Sequence, residues 1–324
     1  MALQMTTRPD PATLFAPHRR GGRFWNPWGA ARRSFFDAFR WQLRRAPART
    51  RLAGGVPRVE ADTDRLRRAA ERAELTWIGH ASFALHEGET VALLDPHFGA
   101  RALLPSRQTP PGLPLAAVPA RGLVLISHNH YDHLDAWTLA RLPKSLAVRV
   151  PLGLEAYVRS FGFTDVAALD WWQQCEVAGW RLTFVPMQHW SNRLGQRPNT
   201  TLWGGWMIDT GRSRVLFAGD SGYFHGFAEI GRRFDRLDAA LLPIGAYEPR
   251  WFMRNVHMNP AEALEALRDT GARTLVPTHW GTFDLADEAV DEPPRELARR
   301  LAEPRFAELA PRVRVLAVGE TLEL

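Results

Sequence analysis

From Leu75 onward the chain consists of short apolar runs interrupted by Gly, Pro and Asp. The runs Leu75–Ile78, Ser82–His86, Thr90–Leu94 and Leu123–Ser127 are too short for helices and end in turn residues, so they predict strands. Leu134–Leu142 and Leu152–Phe161 have the wider spacing of helices. Further on, Arg181–Pro186, Thr201–Ile208, Arg214–Phe217, Ala239–Pro243 and Arg273–Val276 are strand-like, with helices near Phe227–Phe234 and Pro260–Thr270. The last of these is the best punctuated. Asn259 stands at the N-cap, Pro260 in the first turn, Glu262 at the third position and Gly271 just past the end. Strands and helices repeated in two comparable halves predict an α/β fold of two sheets with helices outside. Pro105–Pro119 reads as a proline-rich loop.

The first seventy residues break this texture. Between Arg19 and Arg72 stand fifteen arginines against five acids, interleaved with Phe24, Trp25, Trp28, Phe35, Phe36, Phe39 and Trp41. Residues 1–72 therefore read as a basic, aromatic arm, and residues 73–324 as the main domain. Within the arm Phe35, Phe39 and Leu43 recur at helical spacing beside Phe36, surrounded by Arg32, Arg33, Arg40, Arg44 and Arg45. Two arrangements fit. One is a short helix on an anionic membrane surface, with Trp25, Trp28 and Trp41 as interfacial anchors; the other packs its aromatic face on the main domain.

Composition narrows the class. The chain has 324 residues, 45% hydrophobic and 23% charged, which are ordinary globular values. Cys175 is the only cysteine, so no intrachain disulfide forms and an oxidising compartment is not required. Neither a signal peptide nor an apolar span is indicated, and a cytoplasmic site, peripheral on the inner face of the membrane, is expected. The net charge is +6, and Lys144 is the sole lysine, so the excess is carried by arginine. Such a balance favours phosphate-bearing partners.

Candidate chemistry concentrates in Leu123–Asp135, LVLISHNHYDHLD, which brings His128, His130, Asp132 and His133 together directly after an apolar run. On a helix these side chains would diverge, whereas on a loop after a strand they can converge. Imidazoles with a carboxylate and no thiolate suit zinc, with iron or manganese as competitors. A histidine-rich surface loop, or buried histidines satisfied by hydrogen bonds, would explain this cluster alone. The second half adds more. RLTFVPMQHW reaches His189, RVLFAGDSG reaches Asp220 and RTLVPTHWG reaches His279, each immediately after an apolar run. Strand ends are where an α/β sheet presents its site. Seven ligands suit two ions: His128, His130 and His189 for one, Asp132, His133 and His279 for the other, and Asp220 between them. Two ions about 3.5 to 4 Å apart share a hydroxide and clamp the attacking and leaving oxygens of a displacement.

H-x-H-x-D-H followed by isolated His, Asp and His at strand ends resembles the metallo-β-lactamase superfamily, which implies a four-layer αβ/βα sandwich. Asp95, in LLDP, matches its first motif, beneath the metals. TWIGHASFAL, ISHNHYDHLD, VPLGL, LDWW, QHWS, FAGDSGY, IGAYEPRWFM and THWGTF together resemble the N-acylphosphatidylethanolamine-hydrolysing phospholipase D branch, from about Arg23 (RFWNPW) to at least Pro294. That likeness implies a membrane-associated homodimer with two zinc ions that cleaves the phosphodiester to N-acylethanolamine and phosphatidic acid. It implies catalytic roles for Asp132 and Asp220, and for His257 as a phosphate ligand or proton donor to the leaving alkoxide. Gly99–Pro119 and Asn192–Thr200 depart from the branch and are expected to border the site, where acyl chain and headgroup are selected.

Other histidines are read more plainly. His80, in GHAS, is expected beneath the metals or as a buried hydrogen-bonded residue. His18, His86 and His225 are expected at the surface, and His97 near the site without a ligand role. Alternatives to the phospholipase reading are a small phosphodiester, a phosphorylated lactone or RNA as substrate of the same fold. Nucleic acid is the less favoured partner. A non-catalytic membrane-binding protein is the alternative of a different class.

Overall fold

The computed structural model describes residues 10–29, 37, 40, 41, 43 and 55–324. The N-terminal segment forms a small hairpin of β1 (Arg19–Arg20) and β2 (Arg23–Phe24). Asp37, Arg40, Trp41 and Leu43 are helical; the expectation placed on Phe35, Phe36, Phe39, Arg32, Arg33, Arg44 and Arg45 lies outside the described residues.

The first half then builds β3 (Ala70–Gly79), β4 (Ser82–Gly88), β5 (Thr90–Leu94), β6 (Leu123–Leu125), β7 (Ala147–Pro151) and β8 (Val166–Leu169). β3, β4 and β5 form an antiparallel meander, and β5 to β8 run parallel, with helices α1 (Ala136–Arg141) and α2 (Glu155–Arg159) in the crossovers. The second half repeats the plan. β9 (Gln174–Val177), β10 (Trp180–Val185), β11 (Gly205–Asp209) and β12 (Arg214–Phe217) are antiparallel, and β12, β13 (Ala239–Pro243) and β14 (Thr274–Thr278) are parallel. Between them lie α3 (Gly226–Arg233), α4 (Arg250–Met253) and α5 (Pro260–Thr270), and α6 (Glu292–Leu301) follows. The chain closes with β15 (Thr321–Glu323) on the outer edge of β3, completing sheets of seven and six strands.

Strand periodicity explains the layering. Alternate residues of the first sheet serve two cores. Phe83, Leu85, Leu94, Leu123 and Leu125 join Phe184, Trp206, Ile208 and Leu216 of the second sheet in one cluster. Ala84, Leu93, Val124 and Ile126 face the other way, onto Leu139 of α1 and Val158 of α2. Ile230 of α3 and Leu264 and Leu267 of α5 cover the second sheet. The result is the expected four-layer αβ/βα sandwich.

Local readings hold where punctuation is strong. In α5, Asn259 Oδ1 accepts from the Glu262 N–H at 2.9 Å, Glu262 Oε2 accepts from the Asn259 N–H at 3.0 Å, and Gly271 takes φ 66°. They fail where it is weak. The first two helices are shorter than expected, because Asp135 caps the first only at Ala136 and Gly153, at φ +91°, delays the second. β11 starts at Gly205, not Thr201, because Gly204 passes so close to β10 that a Cβ there would lie 2.5 Å from the Val185 carbonyl. β7, β8, β9, β15 and α6 carry no clear sequence signal; β7 even contains a buried arginine, Arg149, held by Asp165 at 2.8 Å.

Three histidines expected at the surface are not there. His86 is buried within β4, 3.8 Å from Glu74. His18 bonds Asp170 at 2.7 Å and stacks on Trp171, and His225 is half-buried with Nε2 3.2 Å from the Thr13 hydroxyl. Two of the three tryptophans that the membrane arrangement would use as anchors pack on the domain, as the other arrangement has the arm do. Trp28 stacks on Trp171 and Phe224, and Trp41 donates to Asp287 at 2.9 Å and stacks on Phe252. Trp25 is exposed.

Candidate metal centre

The seven predicted ligands come from four strand ends on one edge of the two sheets. Residues 128–133 follow β6, His189 follows β10, Asp220 follows β12 and His279 follows β14. Two glycines make this convergence possible. Gly219, at φ +59°, carries no Cβ where one would lie 2.5 Å from Ser127 Cβ, so Asp220 reaches the β6 loop. A Cβ on Gly245 would lie 1.9 Å from the His279 carbonyl.

The donors form two abutting groups. His128, His130, His189 and Asp220 make one, and Asp132, His133, His279 and His80 the other; within each, donor atoms lie within 4.8 Å of one another. His130 Nδ1 is 2.8 Å from His128 Nε2 and 3.2 Å from His189 Nε2. Asp220 Oδ2 stands between the groups, 3.8 Å from His128, 3.7 Å from His189, 3.1 Å from His133 and 3.2 Å from His279. Ligands of a tetrahedral zinc at 2.0 to 2.2 Å are about 3.4 Å apart, so these separations suit ions held in both halves.

Surrounding bonds aim the ligands. His189 Nδ1 donates to the Val256 carbonyl at 2.9 Å, which turns Nε2 inward, and His128 Nδ1 lies 2.9 Å from Ser127 Oγ with the same effect. Asp95 accepts from the Ser127 N–H at 2.7 Å, from the Ser127 hydroxyl and from His133 Nδ1 at 2.7 Å. It lies beneath the ligands, as its motif implied. His80 Nε2 is 2.9 Å from Asp132 Oδ2, and its carbonyl accepts from the Trp77 indole and from the His279 N–H.

The field of the site calls for cations. Burial opposes charge on His279, yet Asp220 and Asp132 outweigh it and push the imidazole up to about 9; His133 is raised in the same way. Burial also opposes charge on Asp132 and Asp220, but the facing imidazoles hold both well below the usual carboxylate range. Elsewhere desolvation dominates and keeps the rings neutral, with His130 and His80 lowered to about 3 and His189 to about 4. Neutral imidazole is the form that ligates metal. His130 Nε2 and Asp220 Oδ1 are buried and have no hydrogen-bond partner among the described residues. Buried orphans of this kind are costly unless something fills them, and an N/O donor set with unsatisfied lone pairs fits divalent ions.

His257 also arrives here, its Nδ1 4.0 Å from Asp220 Oδ2 and its ring against His189 and His279. Burial lowers its imidazole well below the ordinary value. His97 is buried but is no ligand: Nδ1 lies 3.2 Å from Arg107, and Phe283 separates the ring from His80. Cys175, in β9, is remote from the cluster, and burial raises its thiol. Sequence reading passed over Ser127, although it adjoins the cluster. It also passed over Val256, which carries no local signal, and over Arg250, which holds the His257 carbonyl at 2.9 Å, and Asn26, which stand in IGAYEPRWFM and RFWNPW without a role having been read for them.

Residues 90–280 match the family described as a β-lactamase superfamily domain. An uncharacterised protein of Mycobacterium tuberculosis is 38% identical over 83% of this chain and 74% of its own length. N-acyl-phosphatidylethanolamine-hydrolyzing phospholipase D 1 of Caenorhabditis elegans is 34% identical over 71% of this chain and 70% of its own. Among solved structures, an isothiocyanate hydrolase from Delia radicum gut bacteria shares the fold at TM-score 0.61, with 20% identity over 78% of this chain and 98% of that one.

Proposed function

We propose that this chain, which belongs to the metallo-β-lactamase superfamily of metal-dependent hydrolases, cleaves the phosphodiester of an N-acylated phosphatidylethanolamine, releasing N-acylethanolamine and leaving phosphatidic acid. The observation that carries the reading is Asp220 Oδ2, set between two groups of buried imidazoles and shared by both. The likeness to the nematode phospholipase supports the choice of substrate.

His128, His130 and His189 would hold one ion and Asp132, His133 and His279 the other, with Asp220 common to both. Zinc is the first choice for such donors, with iron or manganese as alternatives. Bound there, two divalent ions supply a water-derived nucleophile at neutral pH and neutralise charge on the phosphate oxygens. The chain's own residues do the rest. Asp95 and His80 hold His133 and Asp132 in place, and Val256 orients His189. His257, kept neutral by burial, stands where it can donate to a phosphate oxygen or exchange a proton with the departing alkoxide.

A lipid reading also accounts for the rim. Trp25, Trp190 and Trp251 are exposed, and each adjoins a segment that carries or holds a site histidine: Trp190 packs on His130, Trp25 precedes Asn26 and Trp251 lies in α4. Indoles so placed suit the interface of a bilayer, and the net charge of +6 favours an anionic one. Among the described residues no helix is long and apolar enough to cross a membrane. A homodimer is part of the same proposal.

The test is incubation of metal-analysed protein with vesicles of N-acylphosphatidylethanolamine in H2(18)O, followed by mass spectrometry. N-acylethanolamine should appear with one heavy oxygen in the phosphatidic acid, and Asp220→Ala should abolish both products while keeping the fold. Absence of N-acylethanolamine from metal-loaded wild-type protein would refute the phospholipase assignment, and full activity of Asp220→Ala would refute the site.

A further inference from the structure

The segment Asp10–Gly29 contributes no candidate ligand, yet it grips the strand ends that carry two of them. Asn26 Nδ2 donates to the His189 carbonyl at 3.0 Å, and Trp28 Nε1 donates to Gln188 Oε1 at 3.1 Å. Gln188 is in turn bound to the other ligand end. The Gly222 N–H donates to its carbonyl at 2.9 Å, and its own N–H donates to Ser221 Oγ at 3.0 Å, directly beside Asp220. Two nearby residues of the segment thus hold His189 and Gln188, and Gln188 joins the His189 end to the Asp220 end. The segment is anchored elsewhere as well. His18 bonds Asp170, Trp172 Nε1 donates to the Leu14 carbonyl, and Phe24 and Asn199 exchange backbone and side-chain bonds.

β10 ends at Val185, so His189 stands beyond the ladder of its sheet. Its ring is turned by Val256 and its neighbour Gln188 is fixed by Gly222 and Ser221, while its own carbonyl is held by Asn26. Asn26 Oδ1 is buried without a hydrogen-bond partner among the described residues. A side chain that leaves an acceptor unpaired contributes here through its donor.

We propose that Asn26 is a positioning residue for His189, supported by Trp28, and that the N-terminal segment thereby sets the affinity of the ion held by His128, His130 and His189. This rests on the metal reading of the site. The full chain, stripped of metal, is titrated with Zn2+ against a chromophoric chelator as wild type and as Asn26→Ala, Asn26→Leu and Trp28→Phe. Leu keeps the branched outline and heavy-atom count of Asn without its donor, and Phe keeps the stack on Trp171 and Phe224. Wild type should bind two equivalents. Both Asn26 variants should weaken one ion by about tenfold and leave the other unchanged, as loss of an outer support does, and Trp28→Phe should act in the same direction more weakly. Two unchanged affinities in all variants would overturn this inference alone. So would equal weakening of both ions in step with a lower melting temperature of the metal-free protein. A wild type that binds no zinc would overturn the metal reading, and this inference with it.

Discussion

Asp95 shows how far a single side chain outside the ligand set controls the site. Both oxygens are occupied, one by the Ser127 N–H and the other by the Ser127 hydroxyl and His133 Nδ1. Asp95→Asn would turn an amide N–H toward one of these donors. It should lower zinc affinity by about 10- to 100-fold while the protein stays folded, which chelator competition and circular dichroism would measure. The titrations at the site set a pH profile for the metal-free protein. His130, His80 and His189 have folded values of about 3 to 4, below their unfolded value, so between those values and about 6.5 the unfolded chain binds more protons and stability rises with pH. His279, pushed up to about 9, works the other way; its contribution is complete below about 6.5, the usual histidine value, and is lost as pH rises towards 9. Melting temperatures of metal-free protein between pH 4 and 9 should therefore peak near 6.5, and a monotonic profile would contradict these assignments.

At the scale of elements, α5 and the glycine turns separate local from non-local causes. The capping box of α5 is written in four contiguous residues, from Asn259 to Glu262, and folds as written. Asn259→Ala should cost about 1 kcal/mol, read as a shift in the urea midpoint without a change in slope, because Leu264 and Leu267 still bury the helix. Gly219 and Gly245 differ. Nothing within a few residues explains them, since their need arises from Ser127 and from the His279 carbonyl across the fold. The helices that came out short, at Asp135 and Gly153, show the same limit: apolar spacing marks a helix but not its ends. β7 and β9 went unnoticed because their places are set by pairing with neighbours, not by their own composition.

At the scale of the molecule, the centre is a joint between the halves. His128, His130, Asp132 and His133 belong to the first sheet, and His189, Asp220 and His279 to the second. Ions bound there would tie the sheets together. Zinc at about 1,000-fold over its dissociation constant should add about 4 kcal/mol to stability. Chelation should lower the melting temperature of the whole chain in a single transition, and an unchanged melting temperature would speak against ions at the joint.

Residue chemistry and period two were enough to pick out the candidate donors, their N/O character, their place at strand ends and the α/β class, because each of the runs that carry them is a dozen contiguous residues or fewer. The tertiary structure alone decided the distances at which those donors meet across the sheets and the bonds to Ser127, Asp95 and Val256 that aim them. It also decided that Trp28 and Trp41 pack inward, that His18 and His225 bind rather than face solvent, and that Asn26 reaches the His189 carbonyl. These contacts join residues more than a hundred positions apart. Hydrophobic periodicity records which face of an element is buried, and it carries no information about what that face meets.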